Sequence, residues 1–455
     1  MPPRVNDHGH FFQHDDGSPF FYLADTAWML FNKLTDDDAR RLFKDRAEKG
    51  FTVIQSVVFR DLFDPNTPNV AGAPPFLTEA DMHAVEMNPV WLDRVVRLTR
   101  LAGEYGLVMG LLPTWGDKWN AHSNSAGPVI MDASSGRRYC RRLSDRLGEC
   151  GNVIWILGGD SPLQTRGHVE LLRAMAEGIR AGASGDRLIA FHPPGPGSSE
   201  ALHSEPWLDF HALQTSHIKP NVPNYAFIER LFGIRPAKPC LDMEPNYELS
   251  PMFAIGWHGV QPPRSATFSA YDVRKAYYRS VLAGAAGFTY GCEPVRQLVR
   301  RGDRVHVWDG VDMPLWTDAI HAPGSSQLAM LKGLLLERSY FTRVPAQELL
   351  LPLRQAGAWA DELSIAMPSA LAHNTDPVAH IAAARCSEGG YVMAYTPVRQ
   401  MVILDTAGLR SKRLRLSAYN PETGDREASY ELDNPGELRF MPRRDLDTLL
   451  VIDAI

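Results

Sequence analysis

Along the first two-thirds of the chain, short runs that are apolar at nearly every position alternate with longer stretches whose apolar residues recur every three or four positions. The short runs fall at 20–31, 51–59, 106–115, 152–160, 187–192, 210–217, 238–244 and 287–290, which makes eight. Helical patterns lie between them at 35–50, 88–105, 135–150, 168–182, 225–232 and 271–286. In the second, Trp91, Val95, Leu98, Leu101 and Ala102 fall on one helical face. Strands that are apolar throughout leave no face for water, so they predict a parallel sheet covered by helices on both sides. Eight such units within roughly 300 residues predict an α/β fold, a (β/α)8 TIM barrel. The competing architecture is an open, doubly wound sheet. Its dinucleotide-binding form needs GxGxxG after the first strand, where this chain has Ala24-Asp25-Thr26-Ala27-Trp28. GxxxxGK[ST], GxSxG and HExxH are also missing from the sequence.

After about residue 345 the texture changes. Short apolar runs at 363–367, 391–395, 401–405, 413–419 and 448–452 are separated by Gly, Pro, Asn and Asp, and Asn420-Pro421-Glu422-Thr423-Gly424 forms a turn between two of them. This predicts a C-terminal antiparallel β-sandwich domain over 345–455, after a barrel domain over 1–344. A helix over 327–336 bridges the two. The stretch Pro193-Pro194-Gly195-Pro196-Gly197 is a loop after the fifth strand.

A length of 455 residues suits a barrel plus a smaller domain. Acidic side chains outnumber basic ones 53 to 47, for a formal charge of −6. A protein that neutralises phosphates leans the other way, so nucleic acid is not expected as a partner. The five cysteines include no CxxC pair, which points to free thiols in a reducing compartment. The N-terminus offers no apolar signal-peptide run, and nothing approaches the roughly 18 apolar residues of a membrane span. A cytoplasmic location is expected. Nothing in the sequence fixes an oligomeric state.

In a barrel, the reactive side chains gather at the C-terminal ends of the strands. The fourth strand ends at Gly158-Gly159-Asp160 and the seventh at Asp242-Met243-Glu244, three strand–helix units apart. Glycoside cleavage needs such a pair: an acid to protonate the leaving oxygen and a carboxylate to meet the developing oxocarbenium carbon. Each has a blander reading. Asp160 before Ser161-Pro162 can be a helix cap, and Glu244 a buried salt-bridge partner. By their places at strand ends, Asp25, Trp28, Trp115, Asp117, His192, His217 and Tyr290 are expected to face the same pocket. Asp25 and His217 are candidates for sugar hydroxyls. Trp115, Trp257, Trp308 and Trp316 are candidates to stack on sugar faces, although each has core packing as its alternative. Glu248 either orients Glu244 or closes a salt bridge. His8, His10 and His14 cluster near the N-terminus, but zinc needs a fourth ligand and a rigid frame, so a solvated turn is expected. No metal, nucleotide or flavin is called for.

With these residues in view, the chain resembles the apiosidase-like glycoside hydrolases, family 140. The resemblance is carried by Asp16-Gly17-Ser18-Pro19-Phe20-Phe21, Ala24-Asp25-Thr26-Ala27-Trp28, the run from Val153 to Asp160, Gln214-Thr215-Ser216-His217, Glu244-Pro245-Asn246-Tyr247-Glu248 and the run from Arg274 to Gly291. It implies a barrel with a C-terminal β-sandwich and a retaining reaction with Asp160 as acid/base and Glu244 as nucleophile. It also implies Tyr247 among the substrate contacts, and a plant-derived or pectic oligosaccharide as substrate. The rivals are a non-catalytic carbohydrate-binding protein on the same fold and a Schiff-base lyase or aldolase. The latter lacks a strand-end lysine, since Lys238 opens its strand.

Overall fold

The computed structural model describes residues 2–60, 64–121, 127–215, 221–252, 266–303, 305, 313–352 and 378–455. Eight parallel strands form the wall of the barrel: β1 (Tyr22–Thr26), β2 (Val53–Val57), β3 (Val108–Leu112), β4 (Val153–Gly158), β5 (Ile189–His192), β6 (His211–Gln214), β7 (Cys240–Asp242) and β8 (Gly287–Tyr290). The hydrogen-bonded order is β5-β4-β3-β2-β1-β8-β7-β6. All eight are buried along their whole length, as their unbroken apolar runs demand. The first run ends sooner than expected. Its strand stops at Thr26, and Leu30–Lys33 is a short helix.

The ladder is open between β5 and β6. There a two-residue strand, Gly197–Ser198, runs antiparallel to β6, and the Asp209 N–H donates to the Ile189 carbonyl at 2.9 Å. A chain of side chains pins this seam. Ser199 Oγ lies 2.8 Å from His211 Nδ1, and His211 Nε2 lies 2.9 Å from His203 Nδ1.

Helices α1 (Asp36–Glu48), α2 (Pro89–Glu104), α3 (Ala133–Arg146), α4 (Arg166–Ala181), α5 (Asn224–Gly233) and α6 (Ala270–Leu282) cover the outside. The start of α1 is dictated locally: Thr35 accepts from the Asp38 N–H while Asp38 accepts from the Thr35 N–H, closing a capping box. Inside the barrel, Gln55 donates to Thr289 Oγ1 at 2.9 Å and to the Tyr22 hydroxyl oxygen at 3.2 Å. That contact sets the phase of β1 and β8. Tyr22 and Thr289 point inward, so Asp25 and Tyr290 point outward.

The C-terminal region is antiparallel. Strands β9 (Arg343–Pro345), β10 (Ala382–Cys386), β11 (Tyr391–Thr396), β12 (Val402–Asp405), β13 (Arg413–Tyr419), β14 (Arg426–Asp433), β15 (Glu437–Phe440) and β16 (Thr448–Ala454) make a six-stranded sheet, β9-β10-β11-β16-β13-β14, over a two-stranded sheet, β12-β15. Along β11 the side chains alternate in destination. Val392 and Ala394 enter the core between the two sheets, while Tyr391, Met393 and Tyr395 join the core of the barrel. The sheet therefore rests directly on α6, where Tyr278 stacks on Tyr395 with ring centroids 4.6 Å apart. Arg274 makes a bidentate pair with Asp447 at 2.7 and 2.9 Å, and both groups are buried. The apolar run at 363–367 lies outside the described residues. No described helix is long and apolar enough to cross a membrane.

Candidate active site

At the end of β4 the chain turns through three consecutive positive φ angles: 97° at Gly158, 99° at Gly159 and 58° at Asp160. The glycines are required twice over. Left-handed backbone suits a residue without Cβ, and a Cβ on Gly159 would lie 2.7 Å from Gly116 N, one on Gly158 2.4 Å from the His192 carbonyl oxygen. Asp160 takes the same region with a side chain, at some conformational cost. It does not cap α4, which starts beyond Thr165, whose own hydroxyl accepts from the His168 N–H.

Asp160 faces Glu244, which lies just past β7 and is 4% exposed. Burial, and next the negative charge of Glu244, push the Asp160 carboxyl up to about 6; His192, Arg60 and the side-chain amide of Gln214 pull the other way. His192 Nε2 lies 2.9 Å from Glu244 Oε2, at ion-pair distance but out of line for a hydrogen bond. The His192 ring belongs to a tight aromatic group. Trp28 and Trp115 stand 5.3 Å apart, and His192 is 5.7 and 5.6 Å from them.

Three residues not anticipated from the sequence complete the site. Arg60, beyond the end of β2, is buried with its guanidinium 3.6 Å from the centre of the Trp115 ring. Burial and then the neighbouring Arg296 pull its pKa down to about 10, against the opposing charges of Asp117, Glu244 and Asp160. Arg296, held by Glu293, lies 5.7 Å over the ring of Tyr247. Gln214 ends β6. The rule that selected the two acids, charge or polarity at the end of an apolar strand, applied equally to Arg60 and Gln214.

Of the anticipated residues, the structure gathers Asp160, Glu244, Trp28, Trp115, Asp117, His192 and Tyr247. Asp117 accepts from Lys118 Nζ at 2.9 Å and from the Gly127 N–H at 3.0 Å, and its charge reaches Arg60. Tyr247 is fully buried, meets Thr26, and lies within the field of Glu244, which with burial keeps its hydroxyl protonated well beyond the usual range.

Three expectations are corrected. Asp25 binds Arg46 Nε at 2.6 Å and the Thr26 N–H at 2.8 Å, on the helix side of the wall. Tyr290 donates to Glu248 at 2.6 Å, and Glu248 accepts again from the Gly324 N–H at 3.0 Å. These three, with Arg46 between them, are a buried polar plug behind β1 and β8, because the phase of those strands turns them away from the lumen. His217, Trp257 and Trp308 lie outside the described residues. Trp316 is buried with Arg41 beside it. His10 is stacked on Phe232 at 3.8 Å and is no freely solvated turn residue. Among the described residues, no three His, Cys, Asp or Glu side chains form a metal-binding group.

On the outer side of the same strand ends lies a shallow cleft lined by Thr215, Asn221, Asn246 and Lys275 among others. Beneath it, Asp242 accepts from Thr215 Oγ1 at 2.7 Å, and burial pushes its carboxyl up to about 7.

A parallel barrel with two facing acids at its mouth and an antiparallel sandwich packed behind it is a glycoside hydrolase architecture. Two solved structures of similar size share it. One, described as a glycoside hydrolase, is 25% identical, with a TM-score of 0.83 over 100% of this chain and 97% of its own. The other, a glycoside hydrolase of family 5 from Bacteroides vulgatus ATCC 8482, is 23% identical, with a TM-score of 0.83 over 100% of this chain and 93% of its own. A further Bacteroides vulgatus structure, a putative glycoside hydrolase, is 14% identical with a TM-score of 0.64, covering 100% of this chain and 82% of its own. The chain belongs to the apiosidase-like family: residues 6–342 match its catalytic domain. Residues 368–453 match a second family, described as a putative collagen-binding domain of a collagenase. No curated protein matches the chain.

Proposed function

We propose that this glycoside hydrolase works with retention, with Asp160 as acid/base and Glu244 as nucleophile, on a plant-derived or pectic oligosaccharide. One observation carries the assignment of roles. Asp160 is the carboxyl whose proton is held up to about 6, by burial and by Glu244, whereas Glu244 sits among His192, Arg60 and Arg296. An acid must keep its proton near working pH, and a nucleophile must lose it.

In the first step Asp160 gives its proton to the glycosidic oxygen as Glu244 bonds to the anomeric carbon, releasing the aglycone and leaving a glycosyl ester. In the second, the Asp160 carboxylate takes a proton from water, whose oxygen displaces Glu244 at the same carbon. Two inversions leave the anomer unchanged. Trp28, Trp115, Asp117 and Tyr247 are buried around the two acids, so they hold the site in place rather than offer open faces to the sugar.

Proton NMR of the first-formed anomer, on an aryl glycoside or plant oligosaccharide that the enzyme turns over, tests retention. Glu244→Gln is expected to lose at least about a thousandfold in kcat while folding normally. An inverted first product, or a Glu244→Gln enzyme with near-normal turnover, removes the double displacement.

A further inference from the structure

We propose that Gln214 is the positioning residue of the acid/base: its amide N–H donates to one Asp160 oxygen, leaving the other to carry the proton, and its carbonyl oxygen accepts a hydroxyl of the bound sugar. The proposal rests on the reading of Asp160 as acid/base.

Gln214 is the last residue of β6 and is 3% exposed. Its side-chain amide lies beside the Asp160 carboxyl, close enough to favour the ionised form. Its Oε1 is buried and has no hydrogen-bond partner among the described residues. A buried amide oxygen left unpaired is costly, and the cost disappears when a ligand brings an O–H to it. The backbone beneath is fixed, since Gln214 pairs with Gly197 of the short strand that fills the β5–β6 seam. Ser199 and His211 hold that strand from below through their 2.8 Å contact. The seam thus divides the partners of the two acids. His192 closes β5 beside Glu244, and Gln214 closes β6 beside Asp160.

An amide N–H stabilises the ionised carboxyl more than the protonated one, so it acts against burial and against Glu244. Without that donor the carboxyl keeps its proton to higher pH and loses its fixed orientation.

Gln214→Leu is therefore expected to move the alkaline limb of the kcat/KM profile to higher pH, to raise KM, and to lower kcat/KM about tenfold to a hundredfold at the optimum. Gln214→Glu keeps the shape. It should retain activity in acid, where its own carboxyl is protonated and still donates, and lose it faster than wild type as pH rises. Carbon-13 NMR of aspartate carboxyls reads the Asp160 titration directly in the unliganded protein, so a folded Gln214→Leu variant reports even if inactive. An Asp160 titration unchanged in Gln214→Leu overturns the proposal. A shifted titration alongside full turnover by Asp160→Asn overturns the acid/base reading instead, and with it the catalytic meaning of the contact.

Discussion

A carboxyl placed where Asp160 stands is held against its own preferences. It is half-buried, faces another acid, and takes a backbone angle that most side chains avoid. Its native pKa of about 6 exceeds its ordinary 3.8, so between those values the folded protein binds more protons than the unfolded chain. The contribution of this group to stability therefore falls as pH climbs from about 4 to about 6 and is flat above. Asp242, raised to about 7 by burial, has the same sign over a wider window. Asp160→Asn is expected to lose about a hundredfold to ten-thousandfold in kcat yet to melt higher than wild type at pH 7, because asparagine tolerates the left-handed angle and carries no charge. Thermal melts at pH 5 and pH 7 check this: the gap between variant and wild type should shrink in acid. The same ionisation should appear in catalysis as a kcat/KM that declines as pH rises through about 6. At this scale the sequence marked Asp160 and Glu244 because a charge at the end of an apolar strand is conspicuous. It could not separate Asp25 from Ala24 by face, since in a fully buried strand both faces read alike.

Elements supply what the acids cannot supply themselves. The Gly158-Gly159 turn brings β4 so close to Trp115 and Gly116 that no Cβ fits there. Gly159→Ala is expected to destabilise the fold by more than about 2 kcal/mol and to cost activity in the fraction that folds, because relief of the 2.7 Å clash with Gly116 N must move Asp160. Urea titration and single-point rates check it, and a fully active, fully stable variant would mean the turn is less demanding than its geometry. The barrel strands were legible because each is apolar on both sides. Strand β14 was not: Arg426–Asp433 is charged and exposed along most of its length, as suits an edge that must not recruit another strand. The seam between β5 and β6 was invisible for another reason. It depends on two residues of pairing after a proline-rich loop, too short a run to carry a period.

Across the whole molecule, the six-stranded sheet lies on α6 through Tyr278, Tyr395 and the Arg274–Asp447 pair. Breaking one partner of a buried pair leaves the other charged and uncompensated, so Asp447→Asn should cost about 3 kcal/mol. Both regions are expected to unfold in one transition, followed by near- and far-ultraviolet circular dichroism in guanidinium. Two separate midpoints would contradict that coupling. Only the fold reveals that Tyr391, Met393 and Tyr395 face the barrel while Val392 and Ala394 face the sandwich.

That alternation limits how freely this half of the protein could travel. A portable adhesion module carries its own finished surface from host to host, but here one flank of the sheet is completed by the enzyme behind it. Cut loose, it would show water a stripe of tyrosine and methionine in search of cover. Evolution could therefore exchange the loops around the barrel mouth with little consequence for the tail, but could not lend the tail elsewhere without first rewriting the side that touches the barrel.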